Sequence, residues 1–95
     1  MQITEILWKP FFVRKLAVKH HVSVLEAEEA IRSAPCLRRV AKGRVRGEDV
    51  YSVCSQIGNG RYLIVFFIRK PHGIIMPVSA RDMSHAERKL YAKER

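Results

Sequence analysis

The side chains in this sequence that can move protons or hold charge near neutral pH are few and unevenly placed. Histidine occurs at His20, His21, His72 and His85. An imidazole titrates near about 6.5, so it can act as acid or base without help from its surroundings. Lys19 directly precedes the histidine pair. A lysine titrates near about 10.4 and suits charge stabilisation better than proton abstraction. Arg81 ends a strand-like run just before a final helical stretch, a junction from which a side chain can project into a cleft. Arg88 and Tyr91 are three apart on that helix and share one face. A guanidinium keeps its charge and grips phosphate with a bidentate fork, while a phenol can stack on a base or donate a hydrogen bond. Between Leu37 and Arg46, apolar and basic residues interleave. On an extended strand Arg38, Val40, Lys42, Arg44 and Arg46 fall on one register, with Arg39, Ala41 and Val45 on the other. That cationic face makes a poor core and a good track for a polyanion.

Each of these residues also has an ordinary structural explanation. His20 and Lys19 can close a helix whose C-terminal dipole favours cations. Arg81 can pair with Asp82 or Glu87, and Tyr91 can pack half-buried on a sheet. The Arg38–Arg46 segment can be a solvated face or dock an acidic protein. Glu48 can serve as a base or orient an arginine, but a carboxylate among so many cations is more often an ion-pair partner.

Charge and length narrow the classes. The chain has 95 residues, with 18 Lys+Arg against 9 Asp+Glu, a net charge of +9. Such a balance in one small domain favours nucleic acid, with an acidic protein or membrane surface as the other polyanions. A hydrophobic share of 47% supports one modest core, so residues 1–95 are expected to form a single domain. The longest apolar run, Tyr62 to Ile68, falls far short of the about 20 residues that span a membrane. The opening residues carry no basic-then-apolar leader, so a cytoplasmic location is expected. Cys36 and Cys54 match no zinc spacing and read as reduced thiols. His20 and His21 diverge by about 100° on a helix and are poorly placed to share a metal. No phosphate-cradling glycine loop is present, so no nucleotide cofactor is expected.

Residues 3–8 read as a first strand. Pro10 suits a helix start, where its missing N–H costs nothing, and the helix runs to about His20 with Phe12 and Leu16 on one face. Ser23-Val24-Leu25-Glu26 is a Ser-x-x-Glu capping box, opening a second helix through about Arg32. Strands are predicted over Asp49–Gln56 and Leu63–Ile68, with the hairpin dipeptide Asn59-Gly60 between them. Leu63–Ile68 does not alternate, which places it centrally, covered on both faces. Pro71-His72-Gly73 predicts a turn. Ile74–Ala80 predicts a strand that Pro77 confines to an edge or a bulge. Ser84-His85-Ala86-Glu87 is a second capping box, opening a helix that ends near Lys93. The order β-α-α-β-β-β-β-α predicts an α+β fold. It has a small antiparallel sheet of about four to five strands, two N-terminal helices and one C-terminal helix.

Five pieces of sequence follow one another in a particular order and spacing. They are Trp8-Lys9-Pro10, Lys19-His20-His21-Val22-Ser23, Gly60-Arg61-Tyr62-Leu63-Ile64-Val65, Val78-Ser79-Ala80-Arg81 and Glu87-Arg88-x-x-Tyr91. Together, over nearly the whole chain, they resemble the BrnT family of bacterial toxins. The resemblance implies a RelE/ParE-like fold and a metal-independent RNA endonuclease that inhibits translation. It also implies a BrnA-like antitoxin as partner and no cofactor. The matched positions make Lys19, His20, Arg81, Arg88 and Tyr91 the catalytic candidates. Arg38, Lys42, Arg44, Arg46 and Arg61 are the candidate RNA contacts. Three positions depart from the family pattern: Lys9 stands where Asp is usual, Leu16 where Asn is usual, and His21 where Gly is usual.

Metal-free RNA cleavage needs a group to take the 2′-hydroxyl proton, cations to stabilise the phosphorane, and a proton for the leaving 5′-oxygen. His20 fits the proton transfers; Lys19, Arg81 and Arg88 fit the phosphate; Tyr91 fits a base or a proton. If four cations of the Arg38–Arg46 face touch single-stranded RNA, log K should fall against log salt with a slope of about −2.8. The expected partners are RNA and the antitoxin, in a hetero-oligomer with the antitoxin or a homodimer. Two other readings stand beside this one: a non-catalytic nucleic-acid-binding module of the same fold, and a structural subunit of a larger complex.

Overall fold

The computed structural model describes residues 2–34, 37–41 and 48–94. Cys36, Lys42, Arg44 and Arg46 lie outside the described residues. The element order is β1 (Glu5–Ile6), α1 (Pro10–His20), α2 (Val24–Ser33), β2 (Leu37–Ala41), β3 (Val50–Gln56), β4 (Tyr62–Arg69), β5 (Ile74–Asp82) and α3 (His85–Glu94). This is the expected α+β order.

Local chemistry sets the helix ends. Pro10 opens α1, and His21 closes it in the left-handed region at φ 54° and ψ 40°. Both capping boxes form. Glu26 N–H donates to Ser23 Oγ at 3.1 Å, and Ser23 N–H donates to Glu26 Oε1 at 3.0 Å. At α3, Glu87 N–H donates to Ser84 Oγ at 3.2 Å, and Ser84 N–H donates to Glu87 Oε1 at 2.7 Å. Each box satisfies two otherwise orphaned backbone donors.

The five strands form one sheet in the order β1-β5-β4-β3-β2. It is antiparallel except at its edge, where β1 runs parallel to β5 through Glu5↔Ile74 and Ile6↔Ile75. The expected antiparallel sheet thus carries one short parallel strand at its edge. β1 is also shorter than residues 3–8. Beyond it Trp8 leaves the ladder and donates its indole N–H to Glu28 at 2.7 Å. Pro77 sits past the end of the β1 pairing. The β4–β5 register steps from Phe66↔Ser79 to Phe67↔Pro77, leaving Val78 as a bulge. Gly73 turns the chain into β5 at φ 77°, and a Cβ there would lie 2.8 Å from the Gln2 carbonyl oxygen.

β4 is central and covered on both faces. Leu63, Val65 and Phe67 point into the larger core with Leu16 of α1, Val22 of the connection that follows it, and Ala27 and Ile31 of α2. Ile64 points the other way, into a smaller core with Met83 and Tyr91, flanked by Cys54, Tyr62 and Phe66. The sheet therefore lies between the α1–α2 layer and the single helix α3. One helix covers its face only in part, and grooves remain on either side.

Candidate active site

Alternation along β5 places Ala80 in the larger core and Arg81 on the α3 face of the sheet. The Arg81 guanidinium lies 5.5 Å from the Phe66 ring centroid. Its two terminal nitrogens donate to Glu87, at 2.7 Å to Oε1 and 2.9 Å to Oε2. This bidentate hold is the first cause of the low pKa of Glu87, about 2, with the Ser84 backbone N–H adding to it. The same pairing raises the Arg81 pKa further.

Helix α3 sorts its side chains by charge. Glu87, Leu90, Tyr91 and Glu94 line a groove of about 230 Å³ whose floor includes Ser52, Cys54, Ile64 and Phe66. Glu94 pairs there with Arg38, so both arginines on this side meet a carboxylate of α3. Burial, then the nearby Glu87 charge, pushes the Cys54 thiol up, which disfavours a thiolate nucleophile. On the helix's other flank, Tyr62, His85, Arg88, Lys89, Tyr91 and Ala92 line a second groove. Arg88 lies 4.0 Å over the Tyr62 ring. Tyr91 separates the two grooves. It is 8% exposed, meets Tyr62 edge-on at 6.1 Å, and accepts the Gln56 N–H at 3.2 Å.

Lys19 and His20 approach the same end of the sheet from the opposite layer. Lys19 is exposed and His20 half-buried at the last turn of α1. Arg61 anchors that turn. Its guanidinium donates to the His20 carbonyl at 2.9 Å, the His21 carbonyl at 2.6 Å and Asp82 Oδ1 at 2.6 Å, and lies 3.3 Å from Glu26 Oε2. The Arg61 hydrogen bond is the main reason the Asp82 carboxyl titrates low, and the nearby His20 adds to it. In the same direction, the Ser23 backbone N–H leads in lowering Glu26. The Asp82 hydrogen bond in turn raises Arg61. One guanidinium thus ties α1, α2, β4 and β5 together.

The structure places Arg81, Arg88 and Tyr91 on the α3 face, with Arg81 beside Phe66 and Glu87 on one flank of the helix, Arg88 over Tyr62 on the other, and Tyr91 between them. It sets Lys19 and His20 on the α1–α2 side of the same strand end. Arg38 lies on the α3 face at β2, opposite Ser52. Arg61 is engaged by protein groups on every side described above. Glu48 pairs with Lys70 at 2.6 Å, the ordinary ion-pair role. Sequence reasoning passed over Tyr62, Phe66, His85 and Lys89 as site residues. Tyr62 and Phe66 are four apart on β4, and that even spacing on a strand was the available signal. Among the described residues, no three His, Cys, Asp or Glu side chains converge as metal ligands. No described helix is long and apolar enough to cross a membrane. The chain matches no protein-family model and no curated protein.

Proposed function

We propose that this chain is a metal-independent RNA endonuclease, the toxin of a toxin–antitoxin pair that inhibits translation in the cytoplasm. The observation that carries the reading is the placement of Arg81, Arg88 and Tyr91 on the sheet face that α3 covers, with His20 tied to the same end of β5 by the Arg61 guanidinium, which bonds both its carbonyl and Asp82. An RNA strand crossing this end of the sheet touches cations from both layers. Lys19, Arg81 and Arg88 neutralise the phosphate. His20 takes the 2′-hydroxyl proton as the 2′-oxygen attacks phosphorus, and returns a proton to the departing 5′-oxygen. The products are a 2′,3′-cyclic phosphate and a 5′-hydroxyl. Tyr91 holds α3 on the sheet and braces Tyr62, over which Arg88 lies. Arg61 belongs to the scaffold of this site. The partner is a BrnA-like antitoxin covering the basic face, an interface of at least about 1,000 Å².

One observation favours a non-catalytic RNA-binding module instead: Glu87 already occupies both terminal nitrogens of Arg81. Incubating purified protein with bulk cellular RNA in excess chelator separates the two. Cleavage by wild type, lost in Arg81→Ala while RNA affinity stays within a few-fold, supports the nuclease. A gel shift without cleavage supports the binding module.

A further inference from the structure

We infer that the groove formed by Tyr62, His85, Arg88 and Lys89 is a nucleotide subsite, stacking one base of single-stranded RNA and holding its phosphate. The inference rests on the reading that the chain takes RNA. It adds a place for a base, on the outer face of Arg88 where that guanidinium lies over Tyr62.

Three features of the groove support it. The first is the segregation of charge along α3. Glu87 and Glu94 are turned to the other flank, where Arg81 and Arg38 neutralise them. The second groove receives His85, Arg88 and Lys89, and no carboxylate is among its lining residues. An anion entering it meets cations without a competing acid. The second feature is a flat platform. The Arg88 guanidinium lies 4.0 Å over Tyr62, and Tyr91 braces Tyr62 edge-on at 6.1 Å. A guanidinium resting on an aromatic ring offers its outer face to a base, and bases stack on arginine planes as well as on rings. Arg88 itself is exposed, so that outer face is open. The third feature is size. The groove holds about 340 Å³, inside the range of about 300–1,000 Å³ typical of small-ligand sites. His85 and Lys89 are four apart on α3 and share a face, which places two phosphate-binding groups beside the platform.

The test measures binding rather than cleavage, by fluorescence anisotropy with two probes of equal length. One is a labelled single-stranded RNA made non-cleavable by 2′-O-methylation. The other is the same sugar–phosphate chain without bases. Arg88→Lys keeps the charge and removes the planar stack. Tyr62→Leu removes the ring beneath it. Wild type should bind the base-bearing strand more tightly than the abasic one. Each variant should lose about 5- to 150-fold on the base-bearing strand, the fold-change that matches stacking of one base. Affinity for the abasic chain should stay within about twofold in Arg88→Lys. If Arg88→Lys binds the base-bearing strand as wild type does, the subsite is wrong while RNA binding stands. If wild type binds neither probe, the RNA reading fails and the subsite with it. Should Tyr62→Leu unfold, Arg88→Lys decides alone, because its side chain is on the surface.

Discussion

Glu87 holds both terminal nitrogens of Arg81 and at the same time accepts the Ser84 backbone N–H at 2.7 Å. One carboxylate therefore caps α3 and occupies the arginine that β5 presents on the α3 face of the sheet. In this state the Arg81 fork is shared, and an incoming phosphate must compete with Glu87 for it. Glu87→Gln removes the competing charge but keeps an acceptor for the cap. The variant should bind single-stranded RNA several-fold more tightly and lose about 1 kcal/mol of stability. Unchanged RNA affinity would mean that Arg81 does not face RNA.

The acidic groups of this region give the fold a defined acid limit. Glu87 titrates at about 2 in the folded chain against 4.5 for the free side chain, and Asp82 and Glu26 are displaced in the same direction. The unfolded chain binds these protons first as pH falls, so stability drops with pH. The Glu87 contribution is complete above about 4.5 and disappears as pH falls toward about 2. Urea titrations across this window should show the stability gap between wild type and Glu87→Gln closing as pH falls. A gap that holds constant to pH 2.5 would contradict the ion pair.

Of Lys9, Leu16 and His21, two stand at the ends of α1 and the third, Leu16, in the core. His21 occupies a left-handed conformation that glycine adopts freely, and Lys9 stands at the N-cap without a side-chain cap. His21→Gly should stabilise by about 0.5 kcal/mol and Lys9→Asp by about 0.5–1 kcal/mol. Leu16 is fully buried, so Leu16→Asn should cost about 3–5 kcal/mol. Denaturation midpoints measure all three. Destabilisation by Lys9→Asp would show that the helix start is held by something other than its cap.

Arg61 was expected to touch RNA, and the structure gives it four protein partners. Arg61→Ala should lower stability by about 2–3 kcal/mol, because two carbonyls and two carboxylates lose their donor together. The salt dependence of RNA binding should keep its slope. A slope shallower by about 0.7 would instead count Arg61 as a phosphate contact.

Local chemistry made most of the architecture readable. Ser23 and Ser84 announced their helices because a capping box needs only four consecutive residues. Asn59-Gly60 marked its hairpin, and the unalternating run of β4 marked a strand buried on both sides. The parallel pairing of Glu5–Ile6 with Ile74–Ile75 was not readable, because it joins segments from opposite ends of the chain. Nor was the role of Arg61, whose partners come from three separate elements. The Arg81–Glu87 pair was one of two pairings open at the sequence level, since Asp82 and Glu87 are both within reach of the strand end. The capping box decides it by fixing Glu87 at the third position of α3, turned toward β5.

We propose that His20 of α1 and Arg81 of β5, which reach one end of the sheet from its two sides, act on a single phosphodiester. Single-turnover cleavage of an end-labelled RNA in excess chelator tests it most directly. The set compares wild type, His20→Gln and Arg81→Ala, with a substrate carrying one 2′-deoxy sugar at the mapped cut as control. The expected product is a 2′,3′-cyclic phosphate, with no cut at the deoxy position. Each variant should lose at least about 100-fold in rate, with RNA affinity within a few-fold of wild type. Cleavage by His20→Gln at the wild-type rate, or cutting of the deoxy substrate, would contradict it.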